Sequence, residues 1–264
     1  MTGDSFISLI FGLQTWGLVL AIICLNEPRL GRFIKLTAAR IYKVYANYSP
    51  IEYLSDDCLT PVSLRCLKRV AKKTLVLDMD ETLITAWIQR QGDHRHSPPN
   101  VPHDFKFGIS TAICKGDVYV YKRPHVDRFL NNVSRWYNLV VFTCGTEDYA
   151  SPILDFLDKG RGILDKRFYR QHTIDVGGLR AKYISLCSPD MANILLLDNS
   201  SIACSFNAGN CIPISSYRIG QKDEALLELL PFLDALRFTR DVRSVLGKCT
   251  RFDCLTTLLE SVAK

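Results

Sequence analysis

The stretch LVLDMDETLI, residues 75–84, places three acids, Asp78, Asp80 and Glu81, within four positions directly after an apolar run. Like charges that close repel one another, so the crowding needs a chemical reason. Two further apolar runs also end in polar groups, NLVVFT (138–143) in Thr143 and NILLLD (193–198) in Asp198 followed by Asn199. An isolated Asp-x-Asp is a weak signal that equally suits a nucleotide-sugar enzyme. Three polar ends together are hard to credit to solvated loops.

Those ends have to be carried by strands. TLVLD (74–78), NLVVFT and NILLLD are apolar at nearly every position, the pattern of parallel strands buried on both faces. FKFGIS (105–110) and DVYVYKR (117–123) read as a more exposed antiparallel pair, inserted between the first two. PHVDRFLNNVSRW (124–136) sets Val126, Phe129, Leu130, Val133 and Trp136 on one helical face, with Pro124 suited to the first turn. Residues 223–246 read as helix, broken or bent near Pro231, and 89–100 as a polar loop. Strands alternating with helices predict an open α/β sheet, in which ligands collect at the carboxyl ends of the strands.

With 264 residues and 47% hydrophobic content, the chain can bury one ordinary core. Its net charge of +6 is unevenly spread: residues 26–73 carry ten basic against four acidic side chains, and residues 74–264 carry 23 against 22. That distribution argues against a nucleic-acid groove in the main domain and points to an anionic surface near the basic segment. Phe6 to Leu25 is twenty residues without a charge, the length of a helix crossing a bilayer core. No basic n-region precedes it, so it reads as an uncleaved membrane segment, although Gln14 and Thr15 also suit a segment lying in the interface. Arg29, Arg32, Lys35, Arg40 and Lys43 follow, interleaved with Leu30, Phe33, Ile34, Ile41, Val44 and Tyr45 at helical spacing. Basic flanks stay cytosolic, and this helix is expected to lie on anionic membrane lipids. Ten cysteines occur without a C-x-x-C pair, which excludes zinc spacing and, in a cytosolic body, predicts reduced thiols.

Asp-Met-Asp-Glu-Thr-Leu-Ile at 78–84, Val-Phe-Thr at 141–143, Lys182 and Leu-Asp-Asn-Ser at 197–200 resemble the four motifs of haloacid dehalogenase-type phosphatases. YKRPHVDRFL, SRWYNLVVFT, YRQH, LDNS and LLPFLDALRFTRDVRSVL are similar, more closely, to the Dullard type of CTD nuclear envelope phosphatase in the FCP/SCP-like family, from about Lys73 to Leu246. The resemblance implies a Rossmann-like open parallel sheet with helices on both faces and a small β-hairpin insertion, preceded by an N-terminal membrane helix. The organisation expected is a membrane segment over 1–25, a basic juxtamembrane helix or linker over 26–72, an FCP-like phosphatase domain over 73–246 and a tail over 247–264.

The resemblance also gives the acids roles. A phosphate monoester is a dianion, so a carboxylate attacks it only when a cation neutralises both, as Mg²⁺ with its preference for oxygen ligands does. Asp78 is then the nucleophile that forms an aspartyl-phosphate, and Asp80 the general acid and base. The metal ligands expected are Asp78, the backbone carbonyl of Asp80 and Asn199, with Asp198 nearby. Thr143 and Lys182 would hold phosphoryl oxygens, with Thr82 as a supporting hydroxyl and Arg170 as a phosphate or substrate contact. Glu81 reads as a local structural residue. The chain departs from its relatives at Thr85 to Trp87, at Cys144 and Gly145, at Tyr183 and Ile184 and at Ser201, all beside the expected catalytic groups.

The function implied is a membrane-anchored, Mg²⁺-dependent protein serine/threonine phosphatase. Expected partners are a phosphoprotein substrate of the lipin type, membrane lipids and a small transmembrane regulatory subunit, at the endoplasmic reticulum and nuclear envelope with the body facing the cytosol. The alternative is a catalytically weak scaffold that keeps the fold and binds a phosphoprotein or a membrane partner.

Overall fold

The computed structural model describes residues 53, 55–92, 97–111 and 115–248. The expected membrane segment, the basic helix up to residue 52 and the tail from residue 249 fall outside them. The chain divides into two units, 1–53 and 54–264. The described helices and strands all belong to the second. Among the described residues no helix is long and apolar enough to cross a membrane.

The three apolar runs form β1 (Thr74–Leu77), β5 (Asn138–Phe142) and β9 (Ile194–Asp198), all parallel, within a five-stranded sheet of order β10-β9-β1-β5-β6. The edge strands β6 (Arg167–Phe168) and β10 (Cys211–Pro213) are too short to leave a periodic signal. Val76, Val140, Phe142, Ile194 and Leu196 pack with Ile184 and Ala203 in one cluster. Their neighbours Leu75, Leu77, Val141, Leu195 and Leu197 point the other way and are as deeply buried, so both faces are covered. That is why these strands lack alternation.

The register decides where chemistry can sit. Leu77 pairs with Val141 on one side and with Leu197 on the other. Asp78, Thr143 and Asp198 therefore emerge together at the carboxyl edge.

The insertion is larger than the expected hairpin. β2 (Ile84–Arg90), β3 (Phe105–Ser110) and β4 (Lys115–Lys122) form an antiparallel sheet of order β2-β4-β3. β2 escapes a sequence reading because its partly buried residues run together instead of alternating. A second insertion, β7 (Ile174–Val176) and β8 (Leu179–Ala181), turns through Gly177 and Gly178, both at positive φ. A two-residue loop with that backbone matches the twist of paired strands, and glycine adopts it without steric cost.

Among the described residues, the α-helices are α1 (Pro61–Lys68), α2 (Val126–Trp136), α3 (Glu147–Asp158), α4 (Ser201–Phe206) and α5 (Ala225–Leu236), and residues 243–248 are helical too. α2 buries the five residues that its periodicity picks out, together with Asn132. Two expectations are corrected. Pro124 precedes the first turn of α2, because His125 at φ 66° turns the chain sharply into the helix. α5 runs through Pro231 and ends only at Leu236, since a proline removes one donor and the packing of Leu226, Leu230, Leu233 and Leu236 outweighs it. A third correction concerns the thiols. Cys204 of α4 and Cys211 of β10 form a disulfide, because the short turn between them returns the chain alongside itself. Cys58, Cys66, Cys144 and Cys187 are free.

One buried cation ties the insertion to the rest. Arg123, 1% exposed, grips Asp223 through two bonds of 2.8 and 2.7 Å and donates to the carbonyl of Thr82 at 3.2 Å and to Ser215 Oγ at 3.2 Å. It therefore holds the loop after β1 against the segment before α5. Asp223→Ala leaves that guanidinium buried and unpaired. The expected loss is about 3–5 kcal/mol of stability, read as a lowered urea midpoint with an unchanged slope.

Candidate active site

At the carboxyl edge of the sheet, Lys182 joins the ends of two strands. Its Nζ donates to Asp78 Oδ1 at 2.5 Å and to Asp198 Oδ2 at 2.7 Å, and all three side chains are nearly sealed from solvent. Burial opposes the charged ammonium, but the two carboxylates override it and hold Lys182 well above the usual lysine range. Burial also raises Asp198, and repulsion from Asp78 adds to it, against the pull of Lys182. Lys182 follows β8 directly, so the small second insertion delivers this cation. The 104 residues that separate it from Asp78 are why spacing alone could not place it.

The loop after β1 is a tight turn. Leu83 and Ile84 N–H both donate to Met79 O, Glu81 N–H donates to Ile84 O at 2.6 Å, and Glu81 sits at φ 58°. Such a backbone costs a non-glycine residue roughly 1–2 kcal/mol. Buried Met79 and Leu83 and the Arg123 bond to Thr82 O hold it there. The turn aims Thr82 inward, where its hydroxyl lies 2.9 Å from Asp78 Oδ2 and 3.3 Å from Asn199 Oδ1. Asn199 Nδ2 donates to Glu81 Oε2 at 3.2 Å and to Ser216 Oγ at 2.9 Å, which points its carbonyl oxygen at the site. Glu81 thus orients a neighbour, in line with its structural reading.

Asp80 lies on the other side. Burial, reinforced by Asp78, pushes its carboxyl up to about 6, while donors from Tyr149 and Thr143 and the charge of Lys182 oppose the rise. Thr143 Oγ1 lies 3.4 Å from Asp80 Oδ2 and accepts from Gly145 N–H at 2.9 Å. Tyr149 Oη donates to Asp80 Oδ1 at 2.5 Å. Sequence reasoning misses Tyr149. It stands on the first turn of α3, and no local sequence signal connects it with Asp80. Gly145 makes the approach feasible, since a Cβ there would meet the Tyr149 ring at 2.9 Å.

Two cavities meet at this point. The smaller, of about 220 Å³, is lined by Asp78, Asp80, Lys182, Asp198 and Asn199 together with Arg180. The larger, of about 770 Å³, is lined by Asp80, Ile88, Arg90, Ile109, Tyr149 and Arg170. Asp80 borders both, so it separates a polar chamber from a broad, partly apolar groove. Of the expected residues, Asp78, Asp80, Thr82, Thr143, Lys182, Asp198 and Asn199 come together. Arg170 does not join them. It is exposed in the larger cavity with its Nε bound to Cys144 O at 2.7 Å, a place for touching a substrate beyond its reacting group.

The donor set fits a hard divalent cation. Asp78, Asp80 and Asp198 face one ammonium, an excess of negative charge in a buried place. Asp78 Oδ2 and Asn199 Oδ1 converge on a single hydroxyl that can satisfy one of them at a time. Asp198 has both oxygens engaged, one with Lys182 and one with Ser200 N–H at 2.8 Å, as Asp78 has with Lys182 and Thr82. Among the described residues no group of three His, Cys, Asp or Glu side chains is arranged to hold a metal.

Comparison with known proteins identifies the family. The family of NLI interacting factor-like phosphatases matches residues 73–243. A CTD nuclear envelope phosphatase 1 homolog of Caenorhabditis elegans is 44% identical over 218 residues, covering 82% of this chain and 87% of that one. CTD nuclear envelope phosphatase 1B of Danio rerio is 46% identical over 223 residues, covering 83% and 89%. Among solved structures, the fission yeast RNA polymerase II CTD phosphatase Fcp1 bound to beryllium fluoride aligns with a TM-score of 0.47 at 20% identity, over 76% of this chain and 58% of that one. With the matched span taking in β1, β5, Lys182 and β9 and the acids they carry, the chain belongs to the NLI interacting factor-like phosphatase family.

Proposed function

We propose that this phosphatase is a membrane-anchored, Mg²⁺-dependent protein serine/threonine phosphatase that works through an aspartyl-phosphate on Asp78. The observation that carries the reading is the different surroundings of two neighbouring carboxylates. Asp78 is ion-paired to Lys182, which holds and aims its carboxyl group. Asp80 is raised to about 6 and held by a tyrosine hydroxyl at the boundary of the two cavities. A nucleophile must be charged and a general acid must carry a proton near neutral pH, and two carboxyl groups in such different surroundings can divide those tasks.

Asp78 attacks phosphorus as the P–O bond to the serine or threonine oxygen breaks, and Asp80 gives that oxygen its proton. Asp80 then takes a proton from the water that hydrolyses the aspartyl-phosphate. Lys182 balances the charge on the phosphoryl oxygens and keeps Asp78 aimed. Asp78, Asp80 O and Asn199 would hold Mg²⁺, whose charge screens the dianion from the carboxylates. The substrate's polypeptide runs through the larger cavity past Arg170. The family resemblance supports a substrate of the lipin phosphatidate phosphatase type and a small transmembrane regulatory subunit as partner. Residues 1–25 would anchor the chain at the endoplasmic reticulum and nuclear envelope with the body in the cytosol. The names of the relatives support the nuclear envelope.

Asp78→Asn is expected to abolish phosphate release from a phosphoserine peptide while circular dichroism stays native. Asp80→Asn should slow the same substrate by about 10²–10⁴-fold. With p-nitrophenyl phosphate, whose leaving group needs no proton, it should give a burst of one nitrophenol per chain followed by slow turnover. Loss of the burst in both variants would show that Asp80 shapes the site and transfers no proton. Tyr149→Phe deletes one donor to Asp80 and should lower kcat on phosphoserine about tenfold, with a smaller effect on the aryl ester; equal losses on both would remove Tyr149 from the proton-transfer step. Deleting residues 1–25 should move the chain from the membrane pellet toward the soluble fraction, and glycosylation of an acceptor site engineered near the C-terminus would overturn the cytosolic orientation.

A further inference from the structure

The opposite end of the sheet carries a second polar concavity. Lys73 precedes β1 and Trp136 ends the helix that leads into β5, so this cavity, of about 380 Å³, sits at the amino ends of the strands that bear the catalytic groups at their carboxyl ends. Its lining holds five cations, Lys68, Lys72, Lys73, Arg135 and Arg237, against one acid, Asp56. That acid is already committed, because Arg237 Nη2 lies 2.5 Å from Asp56 Oδ1 and the Arg237 guanidinium is further fixed over the Trp136 ring, with Asp234 at 3.6 Å. Asp56 therefore does not neutralise the lysines.

Lys73 is the informative residue. It is 1% exposed, and its Nζ donates to Arg237 O at 3.1 Å, at the C-terminus of α5. That bond uses one of three ammonium donors. Among the described residues no carboxylate lies within 4 Å of Lys73, Lys68 or Lys72. Burial pushes Lys73 below the usual lysine range, opposed at longer distance by Asp190. A buried ammonium with no carboxylate in contact is costly. Lys68 and Lys72 stand exposed at the opening, so the cations run from the rim to the floor.

We infer that this cavity binds a phosphate-bearing anion, with Lys73 at its floor and Lys68 and Lys72 at its mouth. A phosphate monoester carries nearly two charges and three acceptor oxygens, so one group can engage several lysines at once, and lysine serves it as a point charge. The volume is that of one small ligand, too small for a nucleic-acid duplex. Leu64, Leu67 and Val70 supply an apolar wall beside the charges, which accommodates the stem that the phosphate is attached to. A lipid headgroup and a free phosphate share this chemistry.

The test uses the full chain in detergent, with the catalytic end occupied by beryllium fluoride and Mg²⁺, in equilibrium dialysis against labelled inorganic phosphate. One phosphate per chain is expected. Lys68→Gln with Lys72→Gln should weaken it by about threefold or more, while turnover of p-nitrophenyl phosphate stays at the wild-type rate. Lys73→Met should abolish it and Lys73→Arg restore it, which separates lost charge from lost folding. Displacement by phosphatidylcholine vesicles that contain phosphatidate, and not by phosphatidylcholine alone, identifies a lipid headgroup; displacement by glycerol phosphate alone identifies a soluble ester. The comparison between variants does not depend on catalysis, so it stands whether or not the chain turns over phosphoserine. Absence of a bound phosphate under these conditions, or one unchanged in Lys68→Gln/Lys72→Gln, overturns the proposal.

Discussion

Three carboxylates, Asp78, Asp80 and Asp198, converge on the carboxyl edge of a buried sheet around a single ammonium, Lys182. In that low-dielectric setting unpaired charges are expensive, and removing one partner from a buried pair costs about 3–5 kcal/mol. Much of the surrounding structure keeps this arrangement in register. β1 and β9 present Asp78 and Asp198 at the same level, the β7–β8 hairpin delivers the lysine, and Asn207 Nδ2 binds Lys182 O at 2.7 Å to hold its main chain. The remaining negative charge is what makes the place fit for a divalent cation and for phosphate bound through one.

The turn after β1 converts that charge balance into geometry. Asp78 and Asp80 are two residues apart and both line the smaller cavity, while Asp80 also borders the larger. The left-handed Glu81 then sends the chain sharply back. Strain of this kind persists only where the surroundings overdetermine it. Here Arg123 supplies that constraint through the carbonyls of Glu81 and Thr82 while it is itself locked by Asp223. The insertion sheet is then more than decoration, because β4 leads directly to Arg123, and β2 and β3 contribute Ile88, Arg90 and Ile109 to the groove.

Much of the fold is legible in the sequence because its central strands are buried on both faces, so β1, β5 and β9 are unbroken apolar runs, and α2 shows its 3.6-residue periodicity. The motif acids, Thr143 and Asn199 sit at the ends of those same runs, which makes them readable without coordinates. Features that depend on distant packing could not be read in the same way. β2 is half-buried and hides its alternation, β6, β7, β8 and β10 are too short for a period to show, and the passage of α5 through Pro231 is settled by the leucines it buries. The Cys204–Cys211 pairing depends on where a short turn returns the chain.

The sequence by itself determined which groups are candidates for the chemistry: a carboxylate pair two residues apart, a lysine between motifs and an amide at a third strand end are types that phosphoryl transfer needs. Tertiary structure decided the surroundings of each. Asp78 and Asp80 are the same side chain, and what distinguishes them is an ammonium at 2.5 Å from one and a tyrosine hydroxyl at 2.5 Å from the other. Arg170, which the family resemblance gives as a phosphate or substrate contact, lies in the outer groove, bonded to Cys144 O and Gly145 O. Proton affinity and reach are set by burial and by neighbours from remote parts of the chain, and neither is encoded at the residue itself.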